Sequence, residues 1–290
     1  MVRATWAVLA LSTPCLAADQ SPDAAAIMTK VAANTTSATE ARRQYVYKQR
    51  VRASLVRSDG QFARKETREY SVVPQRATTD KTLVSFSGEY RDHKRTVPYS
   101  QPGVTDKGNA GDLGLIEALV DELVNAKGSR DGIPRELFPL RSDELEYYKF
   151  TLKGEADVHG RHTYDILFEP AEIQGLCIHV GADEESPCHQ WKGEVWIDVE
   201  DFQPVRIETQ MAKAVPWGVR VFLGINVRQL GFSIDYQRVA ENVWFPATYG
   251  TEFQLSLFWG YKRTVTLSLE SSEFRKTGAN SKIQYDLRDQ

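Results

Sequence analysis

The segment Glu194-Val195-Trp196-Ile197-Asp198-Val199-Glu200-Asp201-Phe202-Gln203-Pro204-Val205-Arg206-Ile207-Glu208-Thr209-Gln210-Met211 decides the fold. Val195, Ile197 and Val199 alternate with Glu194, Trp196, Asp198 and Glu200. The pattern breaks at an acidic turn, and Val205, Ile207, Thr209 and Met211 then alternate with Arg206, Glu208 and Gln210. A period of two means strands with one apolar and one solvated face. Two such strands joined by a short turn form an antiparallel hairpin.

The same signal extends both ways from this hairpin. Downstream it returns in Val219 to Val227, in Tyr249 to Trp259, and in Val265, Leu267 and Leu269. Upstream, Tyr148, Phe150 and Leu152 lead to a Val158-His159-Gly160-Arg161 turn, and His162, Tyr164, Ile166 and Phe168 return from it. Nearer the start, Tyr45, Tyr47, Gln49, Val51, Ala53 and Leu55 share one face. Lys48, Arg50, Arg52 and Ser54 share the other, Asp59-Gly60 supplies the turn, and Phe62 to Val73 is the partner strand.

Helical spacing occurs in two places. Ser21-Pro22-Asp23 offers a cap with proline at the first helical position, and Ile27, Met28, Val31 and Thr35 follow at that spacing, predicting a helix over 22–40. Leu113, Ile116, Leu119, Val120 and Leu123 predict a second helix, with Asp112 as N-cap and Gly128 as its stop. Residues 92–111, rich in Gly, Pro, Asp and Lys, read as loop.

The expected class is α+β: a highly curved antiparallel sheet of about ten strands, with an N-terminal and a mid-chain helix over its open side. Accumulated twist bends so wide a sheet toward an incomplete barrel, and two helices cover only part of its inner face. The shape that follows has an apolar cavity suited to small apolar molecules.

Composition narrows the function. The 290 residues carry 36 Lys+Arg against 39 Asp+Glu, net -3, with 41% hydrophobic side chains. This excludes disordered and polytopic membrane classes, and it lacks the basic excess of a nucleic-acid binder. Met1-Val2-Arg3, the apolar run Ala4 to Leu11 and the exit Cys15-Leu16-Ala17-Ala18 have the form of a cleaved signal peptide over 1–18, leaving a single domain over 19–290. The run is too short to span a bilayer. The expected location is periplasmic or secreted. Pro14 before Cys15 fits a lipid-anchor signal poorly.

Cys177 and Cys188 then remain as an even pair in an oxidising compartment, and a disulfide closing a loop of about ten residues is the default. A four-ligand zinc set with His179 and His189 is the alternative, although its spacing matches no standard zinc module.

The order signal peptide, helix, hairpin, helix, long meander resembles the lipoprotein-carrier superfamily, LolA-like and LolB-like. Three stretches carry the resemblance: Arg42-Arg43-Gln44-Tyr45-Val46-Tyr47, Gly193-Glu194-Val195-Trp196-Ile197-Asp198, and Phe202-Gln203-Pro204-Val205-Arg206-Ile207-Glu208. It implies a non-catalytic carrier or sensor of lipid or acylated lipoprotein, with acyl chains as partner and helices as lid. An envelope protein-protein interaction module is the second expectation. Periodicity selects Tyr47, Val51, Val205, Ile207, Val221, Leu223, Phe253 and Leu255 as cavity lining, with plain core packing as the competing assignment.

No Gly-x-Ser-x-Gly, His-Glu-x-x-His, Walker-type loop or Gly-x-Gly-x-x-Gly occurs, and no cofactor or metal is expected. An enzyme would have to use Asp198, Glu200 and Asp201; strand spacing puts the first two carboxylates roughly 6–7 Å apart. The competing reading of that cluster is a solvated acidic turn. His93, His159 and His162 are scattered. Trp217 and the Phe258-Trp259-Gly260-Tyr261 stretch place aromatics near strand ends, read first as cross-strand packing.

Overall fold

In this computed structural model the described residues are 23–75, 79–104, 110–125, 141–172, 191–212, 226–257 and 260–277. Two α-helices, a short 3-10 helix (Leu145–Tyr147) and twelve strands lie among them. The first unit is α1 (Ala24–Arg42), β1 (Tyr45–Val56), β2 (Phe62–Pro74), β3 (Thr79–Asp92) and β4 (Arg95–Tyr99). After α2 (Ala110–Asn125) come β5 (Tyr148–Val158), β6 (Arg161–Pro170), β7 (Trp191–Asp198) and β8 (Pro204–Met211). The chain continues with β9 (Asn226–Arg228), β10 (Ser233–Ala240), β11 (Val243–Ser256) and β12 (Lys262–Lys276).

All strands join one sheet in the order β4-β3-β2-β1-β12-β11-β10-β8-β7-β6-β5, with β9 paired to β11 off this path. The sheet is open, since neither β4 nor β5 has a second neighbour in that order. The antiparallel, curved, helix-covered architecture is the one the sequence implies. The strand order departs from a single meander. Two consecutive ladders, β1–β4 and β5–β12, are joined by β1 against β12, with Val51 opposite Leu269 and Leu55 opposite Val265. The two sheet edges are therefore consecutive in the chain, and the connection from β4 to β5 carries α2 from one edge to the other.

Three local expectations are corrected. Asp23, not Ser21, caps α1: its carboxylate accepts from the Ala25 N–H at 3.2 Å. Residues 92–111 are not all loop, because β3 runs to Asp92 and β4 follows at Arg95. Asp112 lies inside α2, where its buried carboxylate binds β12 instead of capping the helix. Strands β3 and β10 lacked a clean alternation and were not foreseen. The His159-Gly160 turn is as read, with both residues at positive φ, 52° and 75°.

The core fills the inner face. α1 packs on β11 and β5, and α2 packs on β1 and β2. Met28, Leu55, Ile116, Val120, Ile166, Val195, Ile197, Ile234 and Phe245 are fully enclosed. Burying each such side chain contributes on the order of 1.5–3 kcal/mol. Gly193 belongs to this close packing, since a Cβ there would stand 1.9 Å from the Glu208 carbonyl oxygen on β8.

Candidate ligand-binding face

Of the eight residues chosen for cavity lining, Tyr47 and Val51 on β1, Val205 and Ile207 on β8, and Phe253 and Leu255 on β11 all lie on the helix-covered face and are buried. Val221 and Leu223 lie outside the described residues, as do Cys177 and Cys188 with their neighbouring histidines, Trp217, Trp259 and the proposed signal peptide. The six described residues belong to one continuous hydrophobic cluster with both helices. Among the described residues the space beneath the helices is packed with side chains, and the six line none of the concavities described below, which differs from the open apolar cavity expected from the sequence. Concavities of about 460 to 520 Å³ open on the opposite, solvent-facing side of the sheet. Glu208, Ser233, Gly250 and Glu252 line one of them, and Arg52, Ser54, Lys65 and Thr67 another.

The apolar inner face does not end where its cover ends. Leu83 on β3 pairs with Tyr70 on β2, so both point inward, yet Leu83 is 38% exposed. Val84, in the register shift beside it, is 53% exposed. Large apolar side chains grouped at the end of a covered face mark a route to that face.

The two helices are held differently. α1 is fastened by polar bonds along its length: Asn34 Nδ2 donates to the Asp201 carbonyl at 2.9 Å, and Arg42 Nη1 donates to the Trp244 carbonyl at 2.9 Å. Lys30 also sits 4.5 Å above the Phe202 ring. α2 has an apolar stripe of Ile116, Val120, Leu123 and Val124 and two ionic attachments. At its start, Asp112 accepts from Arg263 Nε at 2.8 Å, Arg263 Nη2 at 3.0 Å and the Tyr261 hydroxyl at 2.6 Å. One turn on, Glu117 pairs with Arg68 at 2.8 Å.

Arg68 belongs to a charged column on the inner face of β2, which sequence reasoning missed. Arg64, Glu66 and Arg68 alternate with Lys65, Thr67 and Glu69, and it is the first set that is buried. Glu66 accepts from Arg68 Nε at 2.9 Å and Nη2 at 2.6 Å, and from the Tyr99 hydroxyl at 2.6 Å. Arg64 donates to Tyr99 Oη and to the Val104 carbonyl, each at 2.9 Å. Its Nε is buried and has no hydrogen-bond partner among the described residues. The rings of Tyr90 and Tyr99 flank Arg64, and Phe86 flanks Arg68. Burial opposes the charge on Arg68, but its bonds to Glu117 and Glu66 outweigh this and hold it more firmly protonated than a free arginine. Burial, then the bond to Glu66, pushes the Tyr99 hydroxyl well above the usual tyrosine range.

In the acidic cluster Asp198 and Asp201 are structural, whereas Glu200 is the solvated turn residue that the sequence suggests. Asp198 is almost wholly buried and accepts from Arg161 Nε at 2.6 Å, from the Asp201 N–H at 2.7 Å and from the Glu200 N–H at 3.0 Å. Asp201 accepts from Trp244 Nε1 at 3.0 Å. These bonds tie the β7–β8 turn to β6 and β11. Among the described residues no group of three or more His, Cys, Asp or Glu is placed to hold a metal ion. No helix among them is long and apolar enough to cross a membrane.

No protein-family model and no curated protein matches the sequence. Among solved structures the chain is similar to a DUF1329 family protein from Desulfovibrio piger, at 10% identity and TM-score 0.37, covering 90% of this chain and 96% of that one. It is similar to a putative outer membrane lipoprotein-sorting protein domain from Vibrio parahaemolyticus, at 12% identity and TM-score 0.36, covering 88% and 95%. A LolA superfamily protein from Nitrosomonas europaea is similar at 12% identity and TM-score 0.34, covering 91% and 97%.

Proposed function

We propose that the protein binds a lipid or the acyl chains of a lipoprotein non-catalytically on the apolar inner face of its sheet, beneath α2. One observation carries this reading: the apolar face is covered by helices without the sheet closing on itself, and it runs out uncovered at Leu83 and Val84. The interior is filled when α2 is seated, so an acyl chain takes the place of the α2 stripe instead of entering an existing void. Each methylene transferred from water contributes ~0.8 kcal/mol, so a long chain offsets the loss of Ile116, Val120 and Leu123 from the core.

The same reading includes export by cleavage of residues 1–18, a single domain over 19–290 and a Cys177–Cys188 disulfide. Native mass spectrometry of the full chain expressed with its signal and purified without detergent tests all of it. The expected spectrum shows a mature chain beginning at Ala18 or Asp19, lacking two hydrogens for the disulfide, and carrying lipid. A clean apo mass that takes up no added long-chain lipid overturns the binding proposal.

A further inference from the structure

The carboxylate of Glu117 on α2 occupies a position that an anionic group could take. In the seated arrangement the guanidiniums of Arg64 and Arg68 face the carboxylates of Glu66 and Glu117, and the cluster is neutral. The two arginines and Glu66 belong to one strand and stay together, whereas Glu117 belongs to the helix. Lifting α2 removes Glu117 alone and leaves two buried cations against one carboxylate. A net positive charge in an apolar surrounding is costly until an anion meets it. The enclosed Arg64 Nε–H has no partner among the described residues. Glu117 is also the exposed member, with its side chain 35% accessible, while those of Arg64 and Glu66 are fully enclosed.

Resting on the lipid-binding reading, we propose that Arg68 and Arg64 form an anion site selecting lipids with a carboxylate or phosphate head. Glu117 occupies it in the unliganded protein as an internal competitor. The ligand's head replaces Glu117 on Arg68 while its chain replaces the apolar stripe of α2, so loading and helix displacement are one exchange. Planar guanidiniums favour such two-oxygen acceptors.

Equilibrium dialysis of the full mature chain against labelled oleate and labelled oleyl alcohol tests this, because the two ligands share the chain and differ in head charge. The expected result is oleate bound about tenfold more tightly than the alcohol, a difference of about 1.4 kcal/mol. Glu117→Gln should tighten both ligands by a similar several-fold factor, because either chain displaces α2, and Arg68→Gln should abolish the preference for oleate. Glu117→Gln carries the test if Arg68→Gln does not fold. Equal binding of the two ligands, or no gain for either in Glu117→Gln, overturns the anion site and leaves lipid binding standing. Retention of neither ligand overturns lipid binding and the anion site together.

Discussion

Asp198 shows how one side chain serves the fold under a chemical disguise. Burial alone would raise its carboxyl, but Arg161 and the amides of Asp201 and Glu200 outweigh burial and hold it below the ordinary range. The folded value is depressed, so the stability it contributes is complete above the unfolded value of about 3.9 and is lost as pH falls through the folded value. We expect Asp198→Asn to cost about 2 kcal/mol at pH 7, as for hydrogen bonds to a charged group. The difference from the unaltered protein should shrink below pH 4, as urea unfolding across pH would show. A penalty independent of pH would contradict the ionised role. The strand carrying Asp198 was legible from sequence. Its burial was not, because Arg161, which meets Asp198, and Trp244 and Arg238, which meet the neighbouring Asp201, come from three other strands, and acids at a turn look like solvated charge in one dimension.

At the scale of elements, α2 is the part whose attachment differs from the rest. Asp112 reads as an N-cap by its place before Leu113, yet it is the staple to Tyr261 and Arg263. Asp112→Asn should loosen the start of α2 by about 1–2 kcal/mol. The measurement is amide exchange, with faster exchange over 110–125 and none gained in β1 or β12. Uniform acceleration throughout the sheet would show that α2 is an inseparable part of the core.

The sheet edges are guarded against a strand-adding partner. β4 carries Pro98, which offers no N–H. β5 has a register shift between Leu152 and Gly154, and Lys153 beside it pairs with Asp165 and Glu194. The long alternations of β1, β7, β8 and β11 were readable because one face is wholly buried. β3 was not, because much of its length is exposed and its bulge breaks the period. The charged column on β2 escaped for the opposite reason: its inward residues are the ones periodicity assigns to solvent.

For the whole molecule, alternation fixed the class of fold, but the strand order needed long-range pairing of β1 with β12 that no local pattern encodes. That pairing makes the two edges successive and suspends α2 between them, over a face whose apolar surface continues past its cover. The central claim is that an acyl chain lies on this face in place of α2. A photoreactive diazirine fatty acid, crosslinked to the protein and mapped by peptide mass spectrometry, tests it most directly. The account predicts labels on Tyr47, Val51, Phe253, Leu255 or the inward side of α2. Labels confined to the polar grooves of the outer side, around Ser233, Gly250 and Glu252 or around Ser54 and Thr67, would contradict it.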